Sequence, residues 1–379
     1  MSFKSISPEI ERHIPIIGDI SNKSDLAYLT TRLATQTVNM VQMGVAEAYI
    51  NGLEVPDDVL RSLFDTCMPV FFKHFPSLLA PYEWVLQETE QMAEGSKELM
   101  RLQYDLPQYM LNHMLGNGNL IYPKYSMGLW EKGADNLEQS QVDMIDDIIE
   151  KLDIQDGDNI LDFGCGWGCV ANYILSKFPN VRFTGLNLSH EQCDYMRQKM
   201  QDPKSYLSSG RFTLIEGDLN DTQFEEKFDK IMSIGVFCHI GNLTQSFKKL
   251  ASFLKLNGKF FLHIITVRTP NNISSAYTHK YIFPHGRYWS FDTVPRHNQD
   301  LKTIQRWYLN GTNYSQTFAA WLKNFDESYN EIEDLDYGIE FARFRRIWRF
   351  YLIWFVANFA SCDGEINGNG QFLMVHTER

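Results

Sequence analysis

Residues 162–168 read Asp-Phe-Gly-Cys-Gly-Trp-Gly and follow a short β-prone run, Ile160-Leu161. Gly164, Gly166 and Gly168 let the backbone of a turn come close to a ligand, because no Cβ stands in the way. The stretch Cys169 to Phe178 reads as a helix, whose first free N–H groups and positive dipole end suit a carboxylate. The chemistry implied is the reception of a nucleotide-containing cofactor at the first strand-to-helix turn of a doubly wound α/β sheet. The third glycine falls one position early for G-x-G-x-x-G, which disfavours a dinucleotide.

In such a sheet, ligands sit beyond the carboxyl ends of the strands. The next β-rich run ends in Asn187-Leu188-Ser189, with Gln192 after it, and Asn187 and Gln192 are placed to bond ribose hydroxyls. The usual acidic residue is missing there, a second argument against NAD or FAD. The third run ends in Glu216-Gly217-Asp218-Leu219, where Asp218 could accept from an adenine amino group and Leu219 lie against the ring. A lone carboxylate is more often a turn residue, so Asp218 carries weight only within this set. Together these residues narrow the cofactor to S-adenosylmethionine.

The sequence resembles class I S-adenosylmethionine-dependent methyltransferases of the cyclopropane-fatty-acid-synthase superfamily. The resemblance rests on YSMGLW at 125–130, LDFGCGWG at 161–168, TGLNLSHEQ at 184–192, VFCHIGN at 236–242, YIFPHG at 281–286, NYSQTFAAWLKNF at 313–325 and IWRFY at 347–351. MGVAEAYINGLEVPDDVLRSLF at 43–64 is similar to the helical extension of the coclaurine N-methyltransferase-like branch. The resemblance implies that Tyr125, Ser126, Gly164 and Gly166 surround the methionine end of the cofactor. It places Asn187, Leu188 and Gln192 on the ribose, and Asp218 and Leu219 on the adenine.

For the reacting centre it points to His239, Cys238 and Tyr314, with His239 as general base. A free amine of pKa ~10 is only about 0.1% unprotonated at pH 7, so a base would help its methylation. Two departures stand out. The superfamily segment FEH is Phe237-Cys238-His239 here, and a second glutamate of the N-methyltransferase branch falls at Gly235. Cyclopropane-forming relatives hold a bicarbonate partly with a cysteine and that FEH glutamate. Here those positions are Met127 and Cys238, although His263 and Tyr314 remain. The loss of both glutamates also removes groups that could hold an ammonium; the expected reaction is nevertheless N-methylation of a small amine, as in the coclaurine N-methyltransferase-like branch. The alternatives are carbon methylation or cyclopropanation of an unsaturated acyl chain, or a cofactor-binding scaffold without turnover.

The elements that must position these groups are legible as alternating strands and helices, the mark of a mostly parallel sheet. Strands are expected in VRFTGLNLS, RFTLIEGD, FDKIMSIGVF and GKFFLHIITV, with QFLMVHT closing the chain, and a helix over Leu137–Leu152. The division expected is a loose arm over 1–24, a helical cap over 25–135 and a cofactor-binding core over 136–267. An insertion, helices and the final strand fill 268–379. In the cap, Leu26, Leu29, Leu33, Met40 and Val41 recur near helical spacing, Pro56-Asp57 starts a helix, and Pro69, Pro76 and Pro81 break the segment into short pieces. Regularity stops over 268–312 and returns as helix over 315–360.

A formal charge of −12 argues against nucleic acid. The longest apolar stretch, 350–357, is under half the ~20 residues a membrane span needs, and no secretory signal is visible. The six cysteines form no CxxC or zinc spacing, so no metal is expected and they read as free thiols of the cytosol. The partner expected is a small-molecule substrate, with a homodimer left open. Arg343, Arg345, Arg346 and Arg349 would suit an anionic membrane surface if the substrate were a lipid.

Overall fold

Ile160, Leu161 and Phe163 are buried on both faces of the sheet, which is why their strand reads as a continuous apolar run. This strand, β1 (Asn159–Phe163), pairs in parallel with β2 (Arg182–Asn187) and β4 (Phe228–Ile234). Beyond them lie β3 (Phe212–Glu216) and β5 (Leu254–Val267), also parallel to their neighbours. The chain then adds β6 (Leu301–Leu309) and β7 (Asn367–His376), and β7 runs antiparallel to both β5 and β6. The order is β3-β2-β1-β4-β5-β7-β6, with the two-residue strand Trp289–Ser290 pairing β5 beside this path. The computed structural model describes residues 37, 40–79, 88–93, 95–116, 123–268 and 275–377. The arm expected over 1–24, with Leu26, Leu29, Leu33 and Pro81, lies outside them.

The sheet is covered on both faces. Ile160 packs in one apolar cluster with α2 (Leu137–Leu152) and α3 (Cys169–Lys177), and its neighbour Leu161 packs in the other with α5 (Leu243–Phe253). Between them in sequence, α4 (His190–Lys199) follows β2. Side-chain caps start three of these helices. Asn136, Ser189 and Asn242 accept from the backbone N–H groups of Gln139, Gln192 and Gln245, each three residues on. The strand order reverses at β1, so the carboxyl ends of β1, β2, β3 and β4 open onto one crevice.

The cap departs from the sequence reading. Pro69 and Pro76 lie inside a single helix, α1 (Asp57–Leu79), which begins directly after Pro56 as expected. Each proline removes one helical hydrogen bond, a cost met by tertiary packing. Leu60 and Phe64 bury against α7 (Phe341–Ala360), with Phe64 edge-on to Phe350 at 5.5 Å and to Trp354 at 4.8 Å. Met40 and Val41, two of the apolar residues that recur near helical spacing, are exposed.

A second correction falls in the stretch read as irregular. Strand β6 lies within 268–312, and its residues Gln305 and Arg306 face solvent because β6 pairs on one side only. The arginines of α7 are not a free basic face either. Arg349 binds Asp326 at 2.7 Å and Asp57 at 2.5 Å, Arg345 binds Asp326 at 2.8 Å, and Arg346 pairs with Glu54. Arg343 donates to Asn51 at 2.9 Å. Among the described residues no helix is long and apolar enough to cross a membrane.

Candidate active site

The glycine turn is fastened to the neighbouring strand before it meets any ligand. The backbone N–H groups of Gly164 and Cys165 both donate to Leu186 O at 3.0 Å. Gly164 has φ +102°, and a Cβ there would stand 2.1 Å from Val236 Cγ2, so both backbone and space require glycine. Gly166, at φ +55°, has nothing within 4 Å of where its Cβ would stand. The turn therefore faces an open cleft of about 1030 Å³, its mouth included.

All nine residues expected around the cofactor line that cleft: Tyr125, Ser126, Gly164, Gly166, Asn187, Leu188, Gln192, Asp218 and Leu219. Their local bonds divide them. The Asn187 amide donates to Gly166 O and to Gln192 Oε1, each at 2.9 Å, and its Oδ1 accepts from Leu188 N. Asn187 is thus engaged in holding the turn, which leaves the Gln192 amide N–H₂ as the donor facing the cleft. Asp218 Oδ1 accepts from Asn220 N at 2.7 Å and Asn220 Nδ2 at 2.9 Å, so only its other oxygen stays open to a ligand. At the opposite end, the Tyr125 hydroxyl accepts from Gln103 Nε2.

Of the three residues expected at the reacting centre, only His239 lines the cleft. It ends the 3₁₀ turn Phe237–His239 after β4. Its Nε2 lies 2.9 Å from the Tyr104 hydroxyl, and its ring packs against Phe283 at 5.5 Å and edge-on to Tyr104 at 5.8 Å. Nδ1 is buried without a partner. Burial alone pushes this imidazole down to about 4, so it is neutral at working pH and a much weaker base than its residue type suggests.

Cys238 and Tyr314 stand behind the cleft wall. The Cys238 thiol donates to Gly235 O at 3.1 Å, and burial pushes it up to about 12. Tyr314 belongs to α6 (Thr312–Glu327) and packs between Phe318 and Phe359, each 4.7 Å away. Burial first, and then the nearness of Cys238, raises the hydroxyls of Tyr104, Tyr288 and Tyr314. Tyr104, Tyr288 and Tyr314 thus lie near a neutral thiol, and Tyr104 is also bonded to the neutral imidazole. No carboxylate shifts either Cys238 or His239.

His263 is held elsewhere. Asn369 Nδ2 is placed 2.7 Å from its Nε2, and Gln371 Nε2 3.3 Å from its Nδ1. A neutral imidazole can accept at only one nitrogen. Lys151 donates to Gln371 Oε1 at 2.5 Å and Gln371 Nε2 donates to Asp147 at 3.1 Å, which fixes the Gln371 amide. Nδ1 is therefore the acceptor, and Nε2–H donates to Asn369 Oδ1 once that amide is turned over. Burial, then the Lys124 and Lys151 charges, pushes His263 down to about 3.

Four residues of the site escaped the sequence reading. Tyr104 and Gln103 sit on a single π-helical turn, Met100–Tyr104, a local geometry without a sequence signature. Asp162 and Lys124 line the cleft and are 2% and 3% exposed. Asp162 was visible as the residue that ends the β1 run, and Lys124 as the neighbour of Tyr125.

Residues 91–367 match the family described as mycolic acid cyclopropane synthetase. The chain is 30% identical to the cyclopropane-fatty-acyl-phospholipid synthase of Escherichia coli (strain K12), over 82% of this chain and 78% of that one. It is 28% identical to (S)-coclaurine N-methyltransferase of Papaver somniferum, over 75% and 81%. In shape it resembles the crystal structure of coclaurine N-methyltransferase bound to N-methylheliamine and SAH, with a TM-score of 0.76 at 21% identity, covering 88% of this chain and 99% of that one.

Proposed function

The chain belongs to the mycolic acid cyclopropane synthetase family of S-adenosylmethionine-dependent methyltransferases, and we propose that it methylates the nitrogen of a small amine. The observation that carries this reading is the set of tyrosines near Cys238 and His239, where no carboxylate among the described residues shifts either group. S-adenosylmethionine supplies an electrophilic methyl group on a sulfonium. Tyr125, Ser126, Gly164 and Gly166 hold its methionyl end. Gln192 and Leu188 meet the ribose, with Asn187 bracing the turn, and Asp218 and Leu219 meet the adenine.

The part of the cleft beside Tyr104 and His239 would do three things to an amine. Burial that keeps His239 neutral also disfavours an ammonium, so the amine is bound with its lone pair free. The aromatic faces of Tyr104 and Phe283 beside His239 stabilise the positive charge as it moves onto nitrogen. His239 orients the amine N–H, relayed through the Tyr104 hydroxyl 2.9 Å away. An ammonium product can leave with its charge, so this reaction asks little of a local base. Cyclopropanation needs a proton removed from carbon, and the bicarbonate cradle for that is depleted. Its cysteine position is Met127, its glutamate position is Cys238, and both nitrogens of His263 are engaged by β7.

A second reading, carbon methylation of an unsaturated acyl chain, is favoured by the 30% identity to the phospholipid-modifying relative. One experiment separates the two. Methyl-labelled S-adenosylmethionine is supplied with a panel of secondary and tertiary amines, and in parallel with vesicles of unsaturated phospholipid. The label is expected in water-soluble amine. Label extracted with lipid would replace this reading with the second, and cofactor binding without turnover on either panel would indicate a scaffold.

A further inference from the structure

Three consecutive side chains of the cap reach three different sides of the cleft. They are Gln103, Tyr104 and Asp105, at the end of the π-helical turn Met100–Tyr104. Gln103 Nε2 donates to the Tyr125 hydroxyl. The Tyr104 hydroxyl meets His239 Nε2 at 2.9 Å, beyond β4. Asp105 Oδ1 accepts from Ser189 Oγ at 2.7 Å, beyond β2. Asp105 also closes the turn, because its backbone N–H donates to Met100 O at 2.7 Å, five positions back. A π turn is a rare, wide geometry that occurs as single turns and is frequent at functional sites. Here the α-helical stretch Ser96–Leu99 runs straight into it. Without side-chain pins the chain can return to the α register, with the Asp105 N–H on Arg101 O, which turns Tyr104 about the helix axis and off His239.

The pin at Asp105 leads to the residues read as meeting the ribose. Ser189 Oγ accepts from Gln192 N at 3.3 Å while it donates to Asp105, so it caps α4 and holds the turn at once. Gln192 Oε1 accepts from Asn187, whose amide also holds Gly166 O. Asp105 itself is exposed and belongs to neither apolar cluster. Its side chain therefore contributes a bond rather than packing.

We propose that Asp105 is a positioning residue that couples the cofactor side of the cleft to the acceptor side. Bonded to Ser189, it holds the π register of Met100–Tyr104, and so keeps Tyr104 on His239 once the cofactor has ordered the first turn of α4. This rests on the placement of the cofactor in this cleft and adds an order to it, in which the cofactor binds first and prepares the acceptor side. Spatial adjacency alone is not coupling, which is measured as an effect of one site on the other.

S-adenosylhomocysteine is the probe, so the test does not depend on which acceptor takes the methyl group. Adding it to the unaltered protein is expected to slow amide exchange in 100–105. In Asp105→Ala that slowing should be largely lost, while calorimetric affinity for S-adenosylhomocysteine changes by less than about threefold. Asp105→Asn should restore the slowing, because its carboxamide oxygen can accept the same bond from Ser189. On whichever panel is methylated, Asp105→Ala should lower kcat about three- to tenfold, the scale of one hydrogen bond. The double variant with Tyr104→Phe should lose no more than Tyr104→Phe alone, because both changes act on one contact. Slowing that persists in Asp105→Ala overturns the coupling. So do losses of kcat that add in the double variant, because Asp105 then serves the fold independently of Tyr104. Label found in lipid rather than amine overturns the amine reading and leaves the coupling standing. If the unaltered protein binds no S-adenosylhomocysteine, the placement of the cofactor fails and the coupling with it.

Discussion

The Tyr104 hydroxyl and His239 Nε2 are 2.9 Å apart, although 135 positions separate the two residues. The contact joins the π-helical turn Met100–Tyr104 to the 3₁₀ turn after β4, and so closes the cap side of the cleft onto the sheet. Tyr104→Phe keeps the ring and its edge-on packing but leaves both imidazole nitrogens without a partner. Turnover is expected to fall about tenfold or more, the scale of a lost positioning hydrogen bond, with S-adenosylhomocysteine affinity within about twofold. Steady-state kinetics beside calorimetry check the split, and equal losses in both would show that the contact serves the fold.

Gly164 and Gly166 separate binding from folding. At Gly164, alanine meets Val236 Cγ2 at 2.1 Å and a φ of +102°, so Gly164→Ala is expected to lower the melting temperature and to lose the cofactor. Gly166→Asp falls in open space at φ +55°, a left-handed conformation that aspartate tolerates. It is expected to melt within a few degrees of the parent and still lose cofactor binding, since it sets a carboxylate beside the methionyl end. Retained calorimetric affinity in Gly166→Asp would remove the turn from the binding site.

The contrast between those glycines and the lysine beside them shows what could be read in the chain. The strands that open the cleft were legible because each apolar run ends in turn residues. Six of the nine cleft residues followed from where those strands stop, whereas Tyr125, Ser126 and Leu188 were implied by the family resemblance. Strand β6 was not legible because it lies at the sheet edge, where Gln305 and Arg306 face solvent and erase the apolar run. Helix α1 was read as broken because Pro69 and Pro76 are judged by local cost, whereas Phe64 is held by α7 residues nearly three hundred positions away. The basicity of His239 was read from residue type and is reversed by burial, which exists only in the fold. Asn187 was placed on the ribose, yet its amide is engaged by Gly166 O and Gln192.

Cys238 is expected to be inert. Its thiol is pushed up to about 12 and bonded to Gly235 O, so almost none is thiolate at pH 8. Iodoacetamide should label exposed Cys67 and leave Cys238 unmodified, as peptide mass mapping can read. Cys238→Ser should keep activity within about threefold, because a hydroxyl can make the same bond to Gly235 O. Cys238→Glu introduces the missing carboxylate among tyrosine hydroxyls. The preference among amines should then move towards those that bind as cations, and an unchanged profile would mean that this position does not select the substrate.

Acid stability follows from three buried groups. Folded His239 and His263 sit at about 4 and about 3, below the ~6.5 of an unfolded histidine, so the unfolded chain binds more protons as pH falls. Their contribution is complete above pH ~6.5 and is lost on the way down to their folded values. Asp162, raised to about 7, opposes them, because its folded form holds a proton that the unfolded one lacks between pH ~3.9 and 7. For these three groups alone the net is one proton, or on the order of 1 kcal/mol per pH unit between pH ~6.5 and 4. Urea midpoints measured at pH 5.0, 5.5 and 6.0 should rise with pH, and Asp162→Asn should steepen the rise to about twice that slope. A slope unchanged in Asp162→Asn would refute the assignment of opposed titrations.

Arg349 ties three helices together. Its guanidinium, on α7, reaches Asp326 of α6 at 2.7 and 3.0 Å, and Asp57 at the first turn of α1 at 2.5 and 3.1 Å. Its NH1 also donates to the Tyr49 hydroxyl at 2.8 Å. The arginine side chain is 12% exposed, whereas Asp326 is 29% and Asp57 51% exposed, so solvent screens part of the network. Removing one partner of a buried pair costs about 3–5 kcal/mol, and the exposed carboxylates reduce the expectation for Arg349→Met to about 2–3 kcal/mol. The loss should appear first where α1 docks. Amide exchange in 57–69 should accelerate well before exchange in β1 or β4, because the sheet core does not depend on this contact. Uniform acceleration across the chain would mean instead that cap and sheet unfold as one unit. The cofactor cleft would then share its stability with the cap that encloses it.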